Sequence, residues 1–388
     1  MAFLDGVLML VLLPILTTMV WEFLIRERVL AYSRRVRYRL IRRFGKEPPI
    51  GQLRAKLAAL CIGDSATSRV MDREGVSSLP LDACFEILHS HLYKGWRPHE
   101  IDYLPFTKAP PLNDDLVSVT KRYPADPPNN GKYRLMSYLP DSSERPTLRI
   151  QLAPTDYFST YPIQRRLFED ILVDEHGSPC SPFASYGTGL LEFAEHPLPN
   201  IVCVHAVVVL PSGRLLLTQR VRSTDRIDWH AGKWSCSFEE QMTVKIGEPR
   251  NDKSFLDTAY AGCDEELGLK PDQIADVRIL SLVLEAVWNV VVPIALIKVH
   301  TPFDDIQAFW ELKARDGVSR ELRNLTELDW SPDALGPILR REEIRVGEYT
   351  IGPDEWHGTA RMRLLQSLLQ RDGIENTIAS VTHTRRRS

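Results

Sequence analysis

Apolar residues fall along the 388-residue chain in runs of different lengths and periods, and each predicts a different element. The longest is GVLMLVLLPILTTMVWEFLI, residues 6–25. A helix of that length rises about 30 Å, the thickness of a bilayer's hydrocarbon core. Pro14 is tolerable inside such a helix, and Trp21 and Glu22 sit close enough to one end to reach the interface. The segment Gly6 to Ile25 therefore predicts a transmembrane helix. The alternatives are a cleaved signal peptide and a buried soluble helix. A signal peptide carries positive charge before its apolar core, whereas here Asp5 precedes it and arginines follow.

Beyond residue 46 the runs shorten. LRAKLAALCI and LDACFEILHSHLYKGW, within residues 47–110, carry a helical apolar spacing. On such a helix His89 and His91 point to different faces and make a poor metal pair. Residues 105–160 are broken by turn-forming stretches, with YRLMSYL and TLRIQLA between them as strands. VCVHAVVVL (202–210) reads as a buried strand, Pro211-Ser212-Gly213 as a turn and RLLLTQR (214–220) as the returning strand. ILSLVLEAVWNVVVPIALIKV (279–299) is long enough for a second membrane span. Its Val and Ile content, interrupted by Glu285, Asn289 and Pro293, favours one or two buried strands. TARMRLLQSLLQRD (359–372) predicts an amphipathic helix, and the tail HTRRRS predicts disorder.

Charge changes this picture at the N-terminal end. The net charge is −3, but residues 1–46 carry nine Lys/Arg and three Asp/Glu, leaving the remainder acidic. A basic segment directly after an apolar span suits anionic headgroups better than nucleic acid. The positive-inside rule then places the N-terminus outside and the bulk of the chain in the cytoplasm. The six cysteines form no CxxC pair and read as reduced, buried apolar residues.

The candidate chemistry lies in residues 247–269, GEPRNDKSFLDTAYAGCDEELGL. Gly247, Cys263, Glu265, Glu266, Gly268 and Leu269 occupy the spacing of a Nudix box, and the segment resembles one. Lys253 stands at the box's first Glu, Ala261 at its Arg and Gly262 at the first Glu of its catalytic helix. The resemblance extends to the hairpin ending at Arg220, to a GxW-like segment Gly232-Lys233-Trp234-Ser235 and to Glu327-Leu328-Asp329-Trp330-Ser331-Pro332. It covers roughly residues 198–372. It implies an αβα Nudix-like fold in the C-terminal half. Before it lie a single N-terminal transmembrane helix (1–25), a basic stalk (26–46) and a mixed, mostly helical middle region (47–197). A flexible tail (373–388) follows.

The Nudix resemblance also implies a role for divalent metal, usually Mg2+, held by carboxylates at i, i+3 and i+4 of the box helix. Here Glu265 and Glu266 are the metal-binding candidates, and Asp264 points roughly 100° away from their face. Candidate ligand contacts are Arg220 and Lys233 for phosphate and Trp234 and Trp288 for base stacking. Glu239 and Glu240 are candidates for extra carboxylates or base-edge contacts. Core packing for the two tryptophans and a salt bridge for Arg220 are the competing roles.

Span, stalk and degenerate box together resemble the transmembrane–Nudix effectors of bacterial cyclic-oligonucleotide-based antiphage signalling (CBASS). That resemblance implies a Nudix-like receptor for a cyclic nucleotide made by a cognate nucleotidyltransferase (CD-NTase). It also implies a helix that oligomerises in the inner membrane, among its lipids, and disrupts it. Two other readings stand beside it. One is an anchored, active Nudix hydrolase of nucleoside diphosphate derivatives, with Glu285 or Glu239 as a further carboxylate. The other is a membrane-bound interaction module.

Overall fold

The computed structural model describes residues 85–90, 95–121, 131–141, 147–167, 169–174, 176–186, 198–221, 232–244, 252–285, 289–315 and 322–382. The segment expected to span the membrane, Gly6 to Ile25, and the basic stalk after it lie outside them, as do residues 383–388 of the tail expected to be flexible, whose residues 373–382 are instead helical. Among the described residues no helix is long and apolar enough to cross a membrane.

In chain order the elements begin with β1 (Phe85–Ser90), β2 (Ile101–Tyr103), α1 (Asp114–Lys121), β3 (Gly131–Asp141), β4 (Thr147–Asp156) and α2 (Tyr157–Arg165). The small pair β5 (Leu172–Val173) and β6 (Pro179–Cys180) and the short α3 (Pro182–Tyr186) follow. Next come β7 (Ile201–Val209), β8 (Arg214–Arg220), β9 (Trp234–Ser235), β10 (Glu239–Gln241), β11 (Thr243–Val244) and α4 (Phe255–Leu267). The chain continues with β12 (Ile274–Glu285), β13 (Val290–Val299), α5 (Phe303–Arg315), β14 (Leu322–Asp329) and α6 (Pro332–Leu339). It ends with the hairpin β15 (Ile344–Val346) and β16 (Tyr349–Ile351) and with α7 (Ala360–Thr382).

The main sheet runs β1-β12-β13-β7-β8-β14, with β9 on β8 and β10 on β7. Its centre is the parallel pair β13/β7. Every residue of β7 is buried, as an apolar strand covered on both faces requires. One face packs on α4 and on β3 and β4, through Val204, Ala206, Tyr133, Ile150, Phe255, Ala259 and Cys263. The other packs on α6 and α7, through Val207, Val209, Leu335, Leu364 and Leu368.

A second sheet, β11-β3-β4-β2, is joined to the first by hydrogen bonds. Met242, between β10 and β11, donates its N–H to the Val202 carbonyl at 3.0 Å and accepts from the Tyr133 N–H at 3.3 Å. Asn200 completes the join: its side-chain amide accepts from the Leu135 N–H at 2.8 Å and donates to the Leu135 carbonyl at 3.1 Å. Residues of the middle region thus pack directly against the elements that follow residue 198.

Several expectations change here. The helical reading of LDACFEILHSHLYKGW fails over Phe85–Ser90, which is a strand paired antiparallel with β12. A short apolar run fits either period, and the edge of β12 supplies the ladder that decides it. His89 lies on this strand; His91 lies outside the described residues. Residues 279–299 form most of the β12–β13 hairpin, not a span, and the long apolar run is the centre of the main sheet.

α7 is a helix, as its spacing predicts, but it is not amphipathic over its first ten residues. Positions 360–369 are buried throughout, Arg361, Arg363, Gln366 and Ser367 included. Their polar atoms are met inside the protein: Arg361 Nε donates to the Ile338 carbonyl at 2.8 Å, and Gln366 Oε1 accepts from Ser281 Oγ at 2.5 Å. Gly373, at φ 75°, breaks the helix before its last turns.

Candidate functional site

The residues of interest converge on a short wedge, Gly232–Gln241, set between β7 and β8. Those two strands pair only at Val209↔Leu215, then part. β9 takes the β8 side and β10 the β7 side. Between them Ser237 acts as a peg. Its hydroxyl accepts from the Val208 N–H and donates to the Leu216 carbonyl, each at 2.9 Å. Ser237 is fully buried at φ 85°, a left-handed conformation uncommon for serine, which these hydrogen bonds hold in place.

The peg fixes the residues that follow it, and strand alternation sends them to opposite faces. Phe238 and Glu240 face the box helix α4, and Glu239 faces α7. α4 itself is capped at both ends. Ser254 caps its start, accepting from the Asp257 N–H at 3.1 Å. Gly268 closes it at φ 75°, with the Leu269 N–H reaching the Cys263 carbonyl at 2.9 Å. Phe255, Thr258, Ala259, Gly262, Cys263 and Leu267 form its buried stripe. Asp264 points away and pairs with Lys270 at 2.8 Å.

Gly262, at the place of the box's first helix carboxylate, is pressed against the wedge. A Cβ there would come within 2.6 Å of Phe238 Cδ2, closer still to Cε2, and within 3.0 Å of Glu240 Cβ. Phe238 is itself 1% exposed. The phenyl ring thus fills the space that a side chain at position 262 would need. Glu265 is exposed and Glu266 half-buried. The three-carboxylate arrangement fits this helix only in part, because two carboxylates remain and the third place holds an aromatic ring. Cys263 lies on the buried stripe, where burial raises its thiol pKa far above the ordinary range.

The opposite face holds a cluster that sequence reasoning did not assemble. Glu239 accepts from Arg220 Nη1 at 2.7 Å through one oxygen, and from Ser235 Oγ and Arg363 Nη2 through the other. Burial opposes its charge, but His357, Arg363, Arg220 and His205 outweigh burial and hold the carboxyl well below the usual range. Arg363 is fully buried and has a partner at each nitrogen. Nε donates to Thr359 Oγ1 at 3.0 Å, and Nη1 to the Ala206 and Phe238 carbonyls at 3.3 and 3.4 Å. Nη2 also donates to Ser235 Oγ at 2.8 Å. Thr359 Oγ1 joins the two histidines, 2.8 Å from His205 Nδ1 and 3.0 Å from His357 Nδ1. The signals were a lone His inside VCVHAVVVL and the arginines set among the apolar residues of the 359–369 helical stretch.

These placements revise several candidates. Arg220 was expected on phosphate, yet its guanidinium is spent on Glu239, with side-chain exposures of 18% and 7%. Trp234, a candidate for base stacking with core packing as its competing role, is 2% exposed and packs on Tyr349 with ring centroids 4.9 Å apart. Both take the competing structural role. Lys233 remains partly exposed, its ammonium donating to the Asp354 carbonyl. Trp288 lies outside the described residues. Glu285 is buried on the α7 side, where its Oε1 lies 3.6 Å from where a Cβ on Gly358 would be. It is therefore no companion for Glu265 and Glu266. Of the further carboxylates, Glu240 is the one that meets the box helix.

No protein-family model and no curated protein matches the chain. Solved structures do. They include DR0079 of Deinococcus radiodurans, 14% identical at a TM-score of 0.24, covering 42% of this chain and 83% of that one. A MutT protein of Methanosarcina mazei Go1 is 18% identical at 0.26, covering 45% and 96%. RenU, a Nudix hydrolase of M. smegmatis, is 12% identical at 0.24, covering 48% and 89%.

Proposed function

We propose that residues 198–372 form a Nudix-like module that binds a nucleotide without hydrolysing it. The observation that carries this reading is the Phe238 ring packed on Gly262. Where the resemblance calls for a carboxylate to hold metal, this chain has a residue without a side chain and an aromatic ring against it. The resemblance to transmembrane–Nudix effectors then supplies the ligand class and the output. The ligand is a cyclic nucleotide made by a cognate nucleotidyltransferase, and the N-terminal helix assembles in the inner membrane. A receptor that keeps its signal intact has no use for the missing carboxylate. Ligand-favoured assembly would gather the helices by raising their local concentration.

The test is dye release from liposomes carrying the full-length protein, with a panel of cyclic di- and trinucleotides added one at a time. Release with one cyclic species supports the effector reading. Binding without release by any species removes the membrane mechanism.

Glu240 favours one alternative. Its Cβ lies beside Gly262 and its side chain starts from the strand facing α4, so a strand carboxylate replaces the helix one in an active hydrolase. Under that reading Glu240→Gln and Glu266→Gln each abolish Mg2+-dependent turnover of nucleoside diphosphate derivatives. Under the receptor reading there is no turnover to lose.

A further inference from the structure

The cluster on the α7 face has the composition of a metal site and the geometry of a filled one. His205, Glu239 and His357 each offer a ligand atom, and these atoms all lie within 4.8 Å of one another. Two imidazoles and a carboxylate are a donor set that zinc and its neighbours accept. A cation is already there. Arg363 Nη2 donates to Glu239 Oε1 and lies 3.3 Å from His357 Nδ1. The Thr359 N–H points at the same imidazole nitrogen from 3.2 Å. The guanidinium therefore sits between two of the three ligand atoms. Thr359 connects the third, His205, to the same group.

We propose that the Arg363 guanidinium occupies the cation position of a His205–Glu239–His357 cage, and that this cage takes a divalent transition metal when the guanidinium is removed. The three cage residues come from β7, β10 and the segment before α7, whereas Arg363 is carried by α7 itself. The resident charge is thus supplied by the helix that covers the cage. The second guanidinium, Arg220, holds the other oxygen of Glu239 at 2.7 Å and leaves Oε1 to the cage. This inference concerns the face opposite the box helix and does not depend on the proposed nucleotide ligand.

The experiment uses the full-length chain as wild type, Arg363→Met, Arg363→Lys and the double variant Glu239→Gln/Arg363→Met. Each is titrated with CoCl2 and followed by visible absorption, and melted with and without ZnCl2. Arg363→Met should bind roughly one Co2+ per chain with a ligand-field band, and ZnCl2 should raise its melting temperature. Wild type and Arg363→Lys, which keep an internal cation, should show neither effect, and the double variant should lose the band. Uptake by wild type equal to that of Arg363→Met would overturn the proposal. So would a folded Arg363→Met that binds nothing, or a double variant that binds equally well. Should Arg363→Met fail to fold on its own, the proposal requires ZnCl2 to restore its folding, and a variant that ZnCl2 does not rescue would overturn it.

Discussion

Replacing Gly262 by alanine distinguishes a closed box face from an open one by the sign of its effect. At a helical position with free space, Gly→Ala stabilises by about 1 kcal/mol through helix propensity. At Gly262 the new methyl would lie within 2.6 Å of Phe238 Cδ2, on a ring that is 1% exposed. Overpacking of this kind costs about 1–3 kcal/mol. A contact this short, against a ring with no open side, belongs at the upper end of that range. The net expectation is a loss of about 2 kcal/mol.

Urea unfolding of the full-length protein measures it, with tryptophan fluorescence and circular dichroism compared to check that one transition is being followed. The control is the cycle with Phe238→Ala. That change alone should cost about 3–5 kcal/mol, and in its background Gly262→Ala should become neutral or stabilising, because its steric opponent is gone. A Gly262→Ala protein more stable than wild type, or a Gly262→Ala cost unchanged by removing Phe238, would refute the packing argument. The case against hydrolysis would fall with it.

Other predictions follow from the wedge and the cluster. Ser237→Ala strands the buried Val208 N–H and Leu216 carbonyl and should cost about 2–4 kcal/mol in urea unfolding. Glu239→Gln leaves Arg363 without its counter-charge and should cost about 3 kcal/mol near neutral pH. The pH dependence has a definite sign. The folded Glu239 carboxyl is held below its ordinary value of 4.5, so its stabilisation is present above that value and fades as pH falls through the folded one. The stability gap between wild type and Glu239→Gln should therefore narrow below about pH 4.5 in acid-titrated melts. Glu266→Gln should leave the recovery of any bound cyclic nucleotide unchanged by mass spectrometry, because no turnover depends on it.

The sequence made the C-terminal end of α4 legible, because the Gly268 ending of the box is a local signal that needs nothing from the rest of the fold, whereas the Ser254 cap at its start was not read. The hairpin from 202 to 220 and the strands within 279–299 were legible for a related reason: a long Val- and Ile-rich run has few alternatives in a folded core. Phe85–Ser90 was not, since its conformation is decided by β12, nearly two hundred positions away. The same applies to α7, whose spacing read as an amphipathic helix, because Arg361 and Arg363 are buried only once carbonyls and Glu239 from other elements surround them. At the candidate site the missing carboxylate at Gly262 was visible in the box, but its steric cause was not. Phe238 reaches that space only because a peg at Ser237 turns the chain there. His205, Glu239, His357 and Arg363 are spread over more than 150 positions, and only the fold brings their charges together.

The central claim is that the module binds a nucleotide and leaves it intact. Its most direct test is a thermal-shift and mass-spectrometric assay on the full-length protein. The panel would contain cyclic di- and trinucleotides and linear dinucleotide diphosphates, with and without Mg2+. The account predicts stabilisation by a cyclic species recovered unchanged, and no product from any linear diphosphate. Mg2+-dependent cleavage of a linear diphosphate, lost in Glu266→Gln or Glu240→Gln, would contradict it and make the protein a hydrolase with a relocated carboxylate.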